Sequence, residues 1–245
     1  MKRFIKNRLS CVLLVLLAIA YLFFLTLDLF FDGLGSVSAL MKYLSILLCL
    51  SIAVFLHRGA WNKRDSILLI SALFLTCVAD LFLLLLNRPV PGLFAFCIVH
   101  LIYIRRYRPT AFPPAAAILI LAIAGCLTAE CLIGGFPIKY ILSCLYGVLL
   151  LTATIFGFTA PLPRTNRRWV KAGMALFVLC DIHVALFNIL AASNPYYPFA
   201  SFFMWFFYLP AQVALALSGH HYEESCTSEI VVRPDLQEQK QGGRS

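Results

Sequence analysis

The sequence predicts an all-α fold: a polytopic integral membrane bundle of about eight transmembrane helices, with a candidate repeat of four helices in each half. Three observations carry that expectation. The 245 residues are 62% hydrophobic and only 13% charged, with a mean hydropathy of +0.89. Apolar runs of about 20 residues, the length that crosses a hydrocarbon core, recur along nearly the whole chain. Basic residues gather in alternate loops, the pattern of membrane proteins whose Lys- and Arg-rich loops face the cytoplasm.

A basic N-terminus, residues 1–8, opens the chain, and a transmembrane domain follows over 9–218. Its spans fall at roughly 9–31, 38–56, 66–86, 91–104, 111–133, 137–158, 168–191 and 198–217. The first is too long, and lacks the small-residue cleavage site, to be a removable signal peptide. The fourth is the shortest and can run on to Arg105. With eight spans, one set of loops carries Lys2, Arg3, Lys6 and Arg8, then Arg58, Lys63 and Arg64, then Arg105, Arg106 and Arg108, then Arg164, Arg167, Arg168 and Lys171. The opposite set carries Arg88 alone. Seven or nine spans would scramble this asymmetry, so both termini are expected in the cytoplasm. The net charge of +9 is thereby assigned to topology, and no nucleic-acid partner is expected.

Of the nine cysteines, Cys11, Cys49, Cys77, Cys97, Cys126, Cys144 and Cys180 lie within spans, without a CxxC pair, and are expected to pack as small apolar residues. In the tail, His220, His221, Glu223 and Cys226 lie close enough to chelate a metal. A flexible polar tail over 219–245 is the preferred account, and neither a metal nor a cofactor is expected.

Self-similarity suggests the repeat. Span two opens "MKYLSILL" and span six "IKYILSCL", so Lys42-Tyr43 and Lys139-Tyr140 occupy matching places. "ALF" precedes Asp80 in span three and Asp181 in span seven, with spacings that differ by two. Both matches recur four helices apart in the same membrane direction, as in a parallel repeat about the membrane normal.

Charged groups inside these spans are the chemical signal. Each costs roughly 2.5–3.5 kcal/mol at mid-bilayer, so Lys42, Lys139, Asp80 and Asp181 would together cost about 10 kcal/mol facing lipid. The lysines, near the outer helix ends, can snorkel to the headgroups; the aspartates must face inward. His100 and Tyr103 share a face of span four, Tyr208 and Gln212 a face of span eight, and Asn188 lies two turns along the stripe of Asp181. His183, about 200° round from Asp181, points elsewhere. Taken singly, such residues often only bridge helices; converging with two acids, they form a candidate site.

At these residues the sequence resembles the YhhN family of lysoplasmalogenases. "LFLTCVADLFLLLL…PGLFAFCIVHLIYI" is similar to the family's block around its first Asp and its His-x-x-Tyr. "LFVLCDIHVALFNI" is similar to the stretch around its second Asp, "FYLPAQVALALSG" to its Tyr-Tyr-x-Ala-Gln stretch, and "MKYLSILL" to its Lys-containing span two. Ala79 stands for the usual Gly and Cys180 for the usual Ser; Asn188 is displaced by one, His183 is unusual, and Leu209-Pro210 intrude. These departures bear on substrate choice more than on catalytic class.

The resemblance implies hydrolysis of the vinyl ether bond of lysoplasmalogens to a fatty aldehyde and a glycerophospho-amine. Such a bond is cleaved by protonation of its β-carbon and capture of the oxocarbenium ion by water, a division of labour that suits two carboxyls. Burial in a bilayer disfavours the charged form of one. Asp80 is assigned as acid and Asp181 as base, with exchange of roles or a shared proton left open. Gln212 and Tyr208 would orient water, Lys42 would meet the lipid phosphate, and His100 would bind phosphate or tune an Asp. The partners implied are a lysophospholipid and the bilayer, the cell membrane if the source is bacterial. A proton-coupled transporter and a non-catalytic lipid-binding protein are the rival readings.

Overall fold

The computed structural model describes residues 8–30, 35–133 and 138–222. Eight helices in them are long and apolar enough to cross a membrane: α1 (Arg8–Phe30), α2 (Gly35–Leu56), α3 (Lys63–Asp80), α4 (Pro89–Tyr107), α5 (Phe112–Ile133), α6 (Ile138–Phe158), α7 (Arg164–Ile189) and α8 (Tyr197–Leu217). Among the described residues, extended pairing is confined to one isolated bridge, Ala60 with His220. The chain is a multi-pass, all-α membrane bundle. Inside hydrocarbon a backbone must satisfy its own N–H and C=O groups, and a helix does so within the segment. The outward faces stay apolar, with Leu22, Phe30, Ile120, Leu121 and Val148 all exposed on the bundle surface.

Helix ends depart from the apolar runs where polar turns find partners. α3 starts at Lys63 because the Asn62 side chain accepts the N–H of Arg64 (2.8 Å) and of Asp65 (3.2 Å), an N-cap that hydropathy does not register. α4 runs through Arg106 to Tyr107, and α7 begins behind Pro163 at Arg164. Directly after Asp80 the chain winds into a π turn, Leu81–Leu85, a device that recurs at functional sites. Asn87 at φ 50° then reverses it into α4.

Pro210 lies inside α8, where it cannot donate to the carbonyl of Phe206 four residues earlier. That carbonyl accepts the Tyr21 hydroxyl of α1 at 2.8 Å instead, so the proline becomes a helix–helix tie.

α7 with α8, and α3 with α4, make the most extensive helix pairs. α2 lies against α3 and α8, as α6 lies against α7 and α4; α1 touches α8, as α5 touches α4. A shift of four helices carries each of these contacts onto another, the arrangement a parallel repeat requires. Depth agrees: Asp80 lies 17 residues past Lys63, and Asp181 lies 17 past Arg164, about 25 Å along each helix. His100 and Tyr208 each lie 11 residues past the starts of α4 and α8, Pro89 and Tyr197. Two glycines hold the helices close beside these acids and their neighbours. A Cβ on Gly92 would sit 2.7 Å from Leu83 and 3.3 Å from the Ala79 carbonyl; one on Gly173 would sit 2.7 Å from Leu215 and 3.1 Å from the Ala211 carbonyl.

The far end of the bundle is closed by a buried ionic clasp. Arg106, expected among the loop charges, is buried in the last turn of α4. Its Nε and Nη2 donate to the two carboxylate oxygens of Asp65, both at 2.8 Å, and its Nη1 to the Ser218 hydroxyl at 2.9 Å. The rigid guanidinium fork matches a carboxylate in a way that holds this arginine in the bundle and leaves Arg105 and Arg108 outside it. Trp61 also donates to Asp65, at 3.1 Å, and Asn166 donates to the carbonyls of Ser218 (2.8 Å) and His220 (2.6 Å). The starts of α3 and α7 and the ends of α4 and α8 thus meet on one side of the bundle. His221 donates its backbone N–H to Gly59 at 2.8 Å, so the segment expected as tail begins with packed residues through Tyr222. Glu223, Cys226 and the rest of 223–245 lie outside the described residues, as do residues 1–7.

Breaking such a pair from one side leaves a charge buried and uncompensated. Arg106→Met is expected to cost about 3–5 kcal/mol, read as a lower unfolding midpoint of the purified protein in detergent. The double variant Arg106→Met/Asp65→Leu, which removes both charges, should regain most of that loss; a double variant no better than the single one would show that Asp65 is not what Arg106 neutralises.

Candidate active site

The two aspartates lie at matching depths on α3 and α7, each 17 residues past the start of its helix. Asp80, the last residue of α3, is 4% exposed and accepts the Tyr208 hydroxyl of α8 at 2.7 Å. Asp181, partly buried on α7, accepts a hydrogen bond from the Tyr146 hydroxyl of α6. Each carboxyl is therefore held by a tyrosine from a neighbouring helix.

Aromatic rings join the two pairs. His100 of α4 is fully enclosed; its ring centroid lies 5.2 Å from that of Tyr146 and 5.2 Å from that of Phe177. Phe177 presents its edge to Tyr208 at 5.6 Å. A continuous row, Asp80–Tyr208–Phe177–His100–Tyr146–Asp181, crosses the bundle interior. Tyr103 lies one turn from His100 with centroids 6.2 Å apart, and it stacks on Tyr107. Gln212, fully buried, lies one turn from Tyr208.

Among the described residues neither ring nitrogen of His100, nor the Tyr103 hydroxyl, nor either amide atom of Gln212 makes a hydrogen bond. A buried polar group without a partner costs about 1–3 kcal/mol. Three such side chains on the helices that carry the row, α4 and α8, are an expensive way to fill a core, and leucine would pack there more cheaply. Their donors and acceptors are free to hold water or substrate.

Lys42 reaches the row from the other side. Its ammonium pairs with Asp28 at 2.7 Å and lies 4.9 Å from the centroid of Trp205, whose ring meets Tyr208 edge-on at 5.3 Å. Asp28 also accepts the Ser38 hydroxyl at 2.5 Å. Lys42 is thus buried and paired, whereas Lys139 is exposed at the start of α6, as a snorkelling lysine is. Asn188 does not join the cluster: it is exposed and donates to Val184 of its own helix at 2.8 Å. His183 points away from the acids, against Phe203 and Phe207, as its angular offset requires.

The structure adds residues that sequence reasoning missed. Tyr146 lies on α6, and nothing in its local sequence tied it to Asp181. Asp28, an acid inside the first span, bore the same signal as Asp80, whereas Trp205 bore none. Of the cysteines expected in the interior, Cys49, Cys77, Cys97 and Cys180 are buried free thiols.

Fold and site together define a class: a polytopic membrane protein with a pair of tyrosine-held carboxyls inside the helix bundle. The profile of the YhhN family matches residues 37–219, and the chain belongs to that family. The match runs from α2 through α8 and contains Lys42, Asp80, His100, Tyr103, Asp181, Asn188, Tyr208 and Gln212. No curated protein and no solved structure matches the chain.

Proposed function

We propose that this chain is an intramembrane, lysoplasmalogenase-like ether hydrolase, cleaving the vinyl ether of a lysoplasmalogen to a fatty aldehyde and glycerophospho-ethanolamine or -choline. The observation that carries the reading is the pair of carboxyls at one depth, each hydrogen-bonded by a tyrosine and joined by the row through His100. Asp80, enclosed among α3, α4 and α8, holds a proton and delivers it to the vinyl β-carbon. The oxocarbenium ion that forms at the adjacent carbon is stabilised by the Asp181 carboxylate, which also takes a proton from the attacking water. The hemiacetal then collapses: its hydroxyl proton returns through the carboxyls, the glycerol oxygen leaves protonated, and the carbonyl forms. Tyr208 and Gln212 position the water, and His100 tunes Asp181 through Tyr146. No step uses a metal or cofactor. Lys42 meets the phosphate, exchanging its partner Asp28 for the lipid anion, and both termini lie in the cytoplasm, a reading supported by the basic loops.

Purified protein incubated with a lysoplasmalogen, followed by release of free aldehyde, tests this reading. Aldehyde should accumulate in proportion to enzyme; none, from protein that is folded and monodisperse, rejects the reading. In the same assay Lys42→Met should raise KM for the phosphate-bearing substrate more than it lowers kcat, since uniform binding is what it removes. An unchanged KM takes Lys42 out of substrate binding.

A further inference from the structure

Among the described residues, the buried charged, hydroxyl, amide and imidazole side chains of α3, α4, α7 and α8 all lie to one side. On α3 they are Asp65, Ser66, Thr76 and Asp80, and on α4 His100, Tyr103, Arg106 and Tyr107. On α7 and α8 they are Asn166, Tyr208 and Gln212. Because α3 and α7 start at the clasp and α4 and α8 end there, each lies level with the acids or between them and the clasp. In the other direction α4 buries Gly92, Ala95, Phe96, Cys97 and Val99, and α8 buries Ala200 and Trp205.

Two stripes lead from the row to the clasp. On α4, His100, Tyr103 and Tyr107 follow one another at intervals of three and four residues, on one helix face, over about 10 Å. The Tyr103 and Tyr107 rings stack with centroids 5.8 Å apart, and the Arg106 guanidinium lies 5.5 Å from the centroid of Tyr107. On α8, Gln212 lies one turn, about 6 Å, from Tyr208 in the same direction. Both ends of this path are satisfied: Tyr208 donates to Asp80, and Arg106 donates to Asp65 and Ser218. Its middle is not. His100, Tyr103 and Gln212 are each 0% exposed, and among the described residues their ring nitrogens, hydroxyl and amide atoms make no hydrogen bond.

We propose that His100, Tyr103 and Gln212 hold a file of water that joins the carboxyl pair to the clasp end of the bundle. The inference deepens the hydrolase reading, since hydrolysis consumes a water molecule at the acids, and it names the direction from which that water and its protons arrive. A buried water typically bonds about three otherwise unsatisfied polar groups, and these three side chains supply both donors and acceptors from two helices. At about 2.8 Å for each O–H···O step, about three molecules span the stripe on α4. On the other side of the acids the buried faces of α4 and α8 are apolar and give a water file little to hold it.

Radiolytic footprinting tests this without turnover. The purified full-length protein in phosphatidylcholine nanodiscs receives a short X-ray pulse, which makes hydroxyl radicals from water where the water stands. Oxidised side chains are then mapped by mass spectrometry, with rates corrected for intrinsic reactivity. Tyr103 should be oxidised at a rate close to that of Tyr196, which is 70% exposed. Phe96, about one turn from His100 on the apolar side, should stay almost unlabelled. Gln212→Leu, which removes the amide at nearly the same volume, should bring Tyr103 down to the rate of Phe96 and leave Tyr196 unchanged. Gln212→Met gives the same readout if the first variant does not fold. A Tyr103 no faster than Phe96 in the unaltered protein, or still fast in a folded Gln212 variant, would overturn the proposal. Because nothing is hydrolysed, a protein without hydrolase activity still gives this label, and a dry path leaves the carboxyl chemistry standing with water drawn from another side.

Discussion

Asp80→Asn and Asp181→Asn are each expected to lower vinyl ether turnover by at least about 100-fold, while the protein still inserts and purifies. The magnitude follows from the proton transfers proposed for these groups, since general acid–base catalysis contributes typically about 10²–10⁴-fold. The structural tolerance follows from the contacts. Asn is nearly isosteric with Asp, and its carbonyl oxygen can still accept the hydroxyl of Tyr208 or Tyr146. It is also cheaper to bury than a carboxylate. What it cannot do is give or take a proton. The double variant should lose little more than either single one, because the two groups serve the same steps and their effects do not multiply. Aldehyde release by purified variants, normalised to folded protein, measures all three. A near wild-type rate in either single variant sinks the two-carboxylate mechanism, whatever the other does.

What the sequence disclosed and what it hid divide along a physical line. Hydropathy is a property of a segment, so eight spans could be placed from it, to within about a turn at their ends once the π turn Leu81–Leu85 is counted with α3. The ends missed were those set by a polar partner: the Asn62 cap of α3, and Arg106 carried into the bundle by Asp65. Periodicity placed Asp80, His100, Tyr103, Tyr208 and Gln212 on inward faces correctly, since each faces neighbours on several sides. It also put Asn188 on the stripe of Asp181, but near the end of α7 Asn188 is exposed and satisfies itself on Val184. Partnerships between helices were not legible at all. Tyr146 with Asp181, Lys42 with Asp28, and Tyr21 with the carbonyl freed by Pro210 depend on which helices touch and how they are rotated. No local pattern encodes that. Pro210 shows the limit clearly: the sequence displays a defect inside a helix, and only the packing shows its repair by a tyrosine 185 residues away.

Isotope placement fixes which bond breaks, and its expected result is all-or-none. If Asp80 or Asp181 protonates the vinyl β-carbon, water adds to the adjacent carbon and the glycerol oxygen keeps the carbon it came with. Turnover in ¹⁸O-water should therefore leave the glycerophospho-amine unlabelled. Turnover in D₂O, with the aldehyde trapped at once, should place one deuterium beside the carbonyl, where the proton was delivered. Trapping must be fast because a free aldehyde exchanges that position through its enol, and a control aldehyde carried through the same trap sets the background. An ester-cleaving enzyme would consume no vinyl ether, and a carrier would move substrate without aldehyde appearing. Oxygen label in the glycerol product would mean attack at the glycerol carbon, a substitution with no oxocarbenium ion. In that case a proton-delivering acid at the vinyl carbon has no part to play. Deuterium at the predicted carbon, lost together with turnover in Asp80→Asn, would tie the delivered proton to the carboxyl that Tyr208 holds.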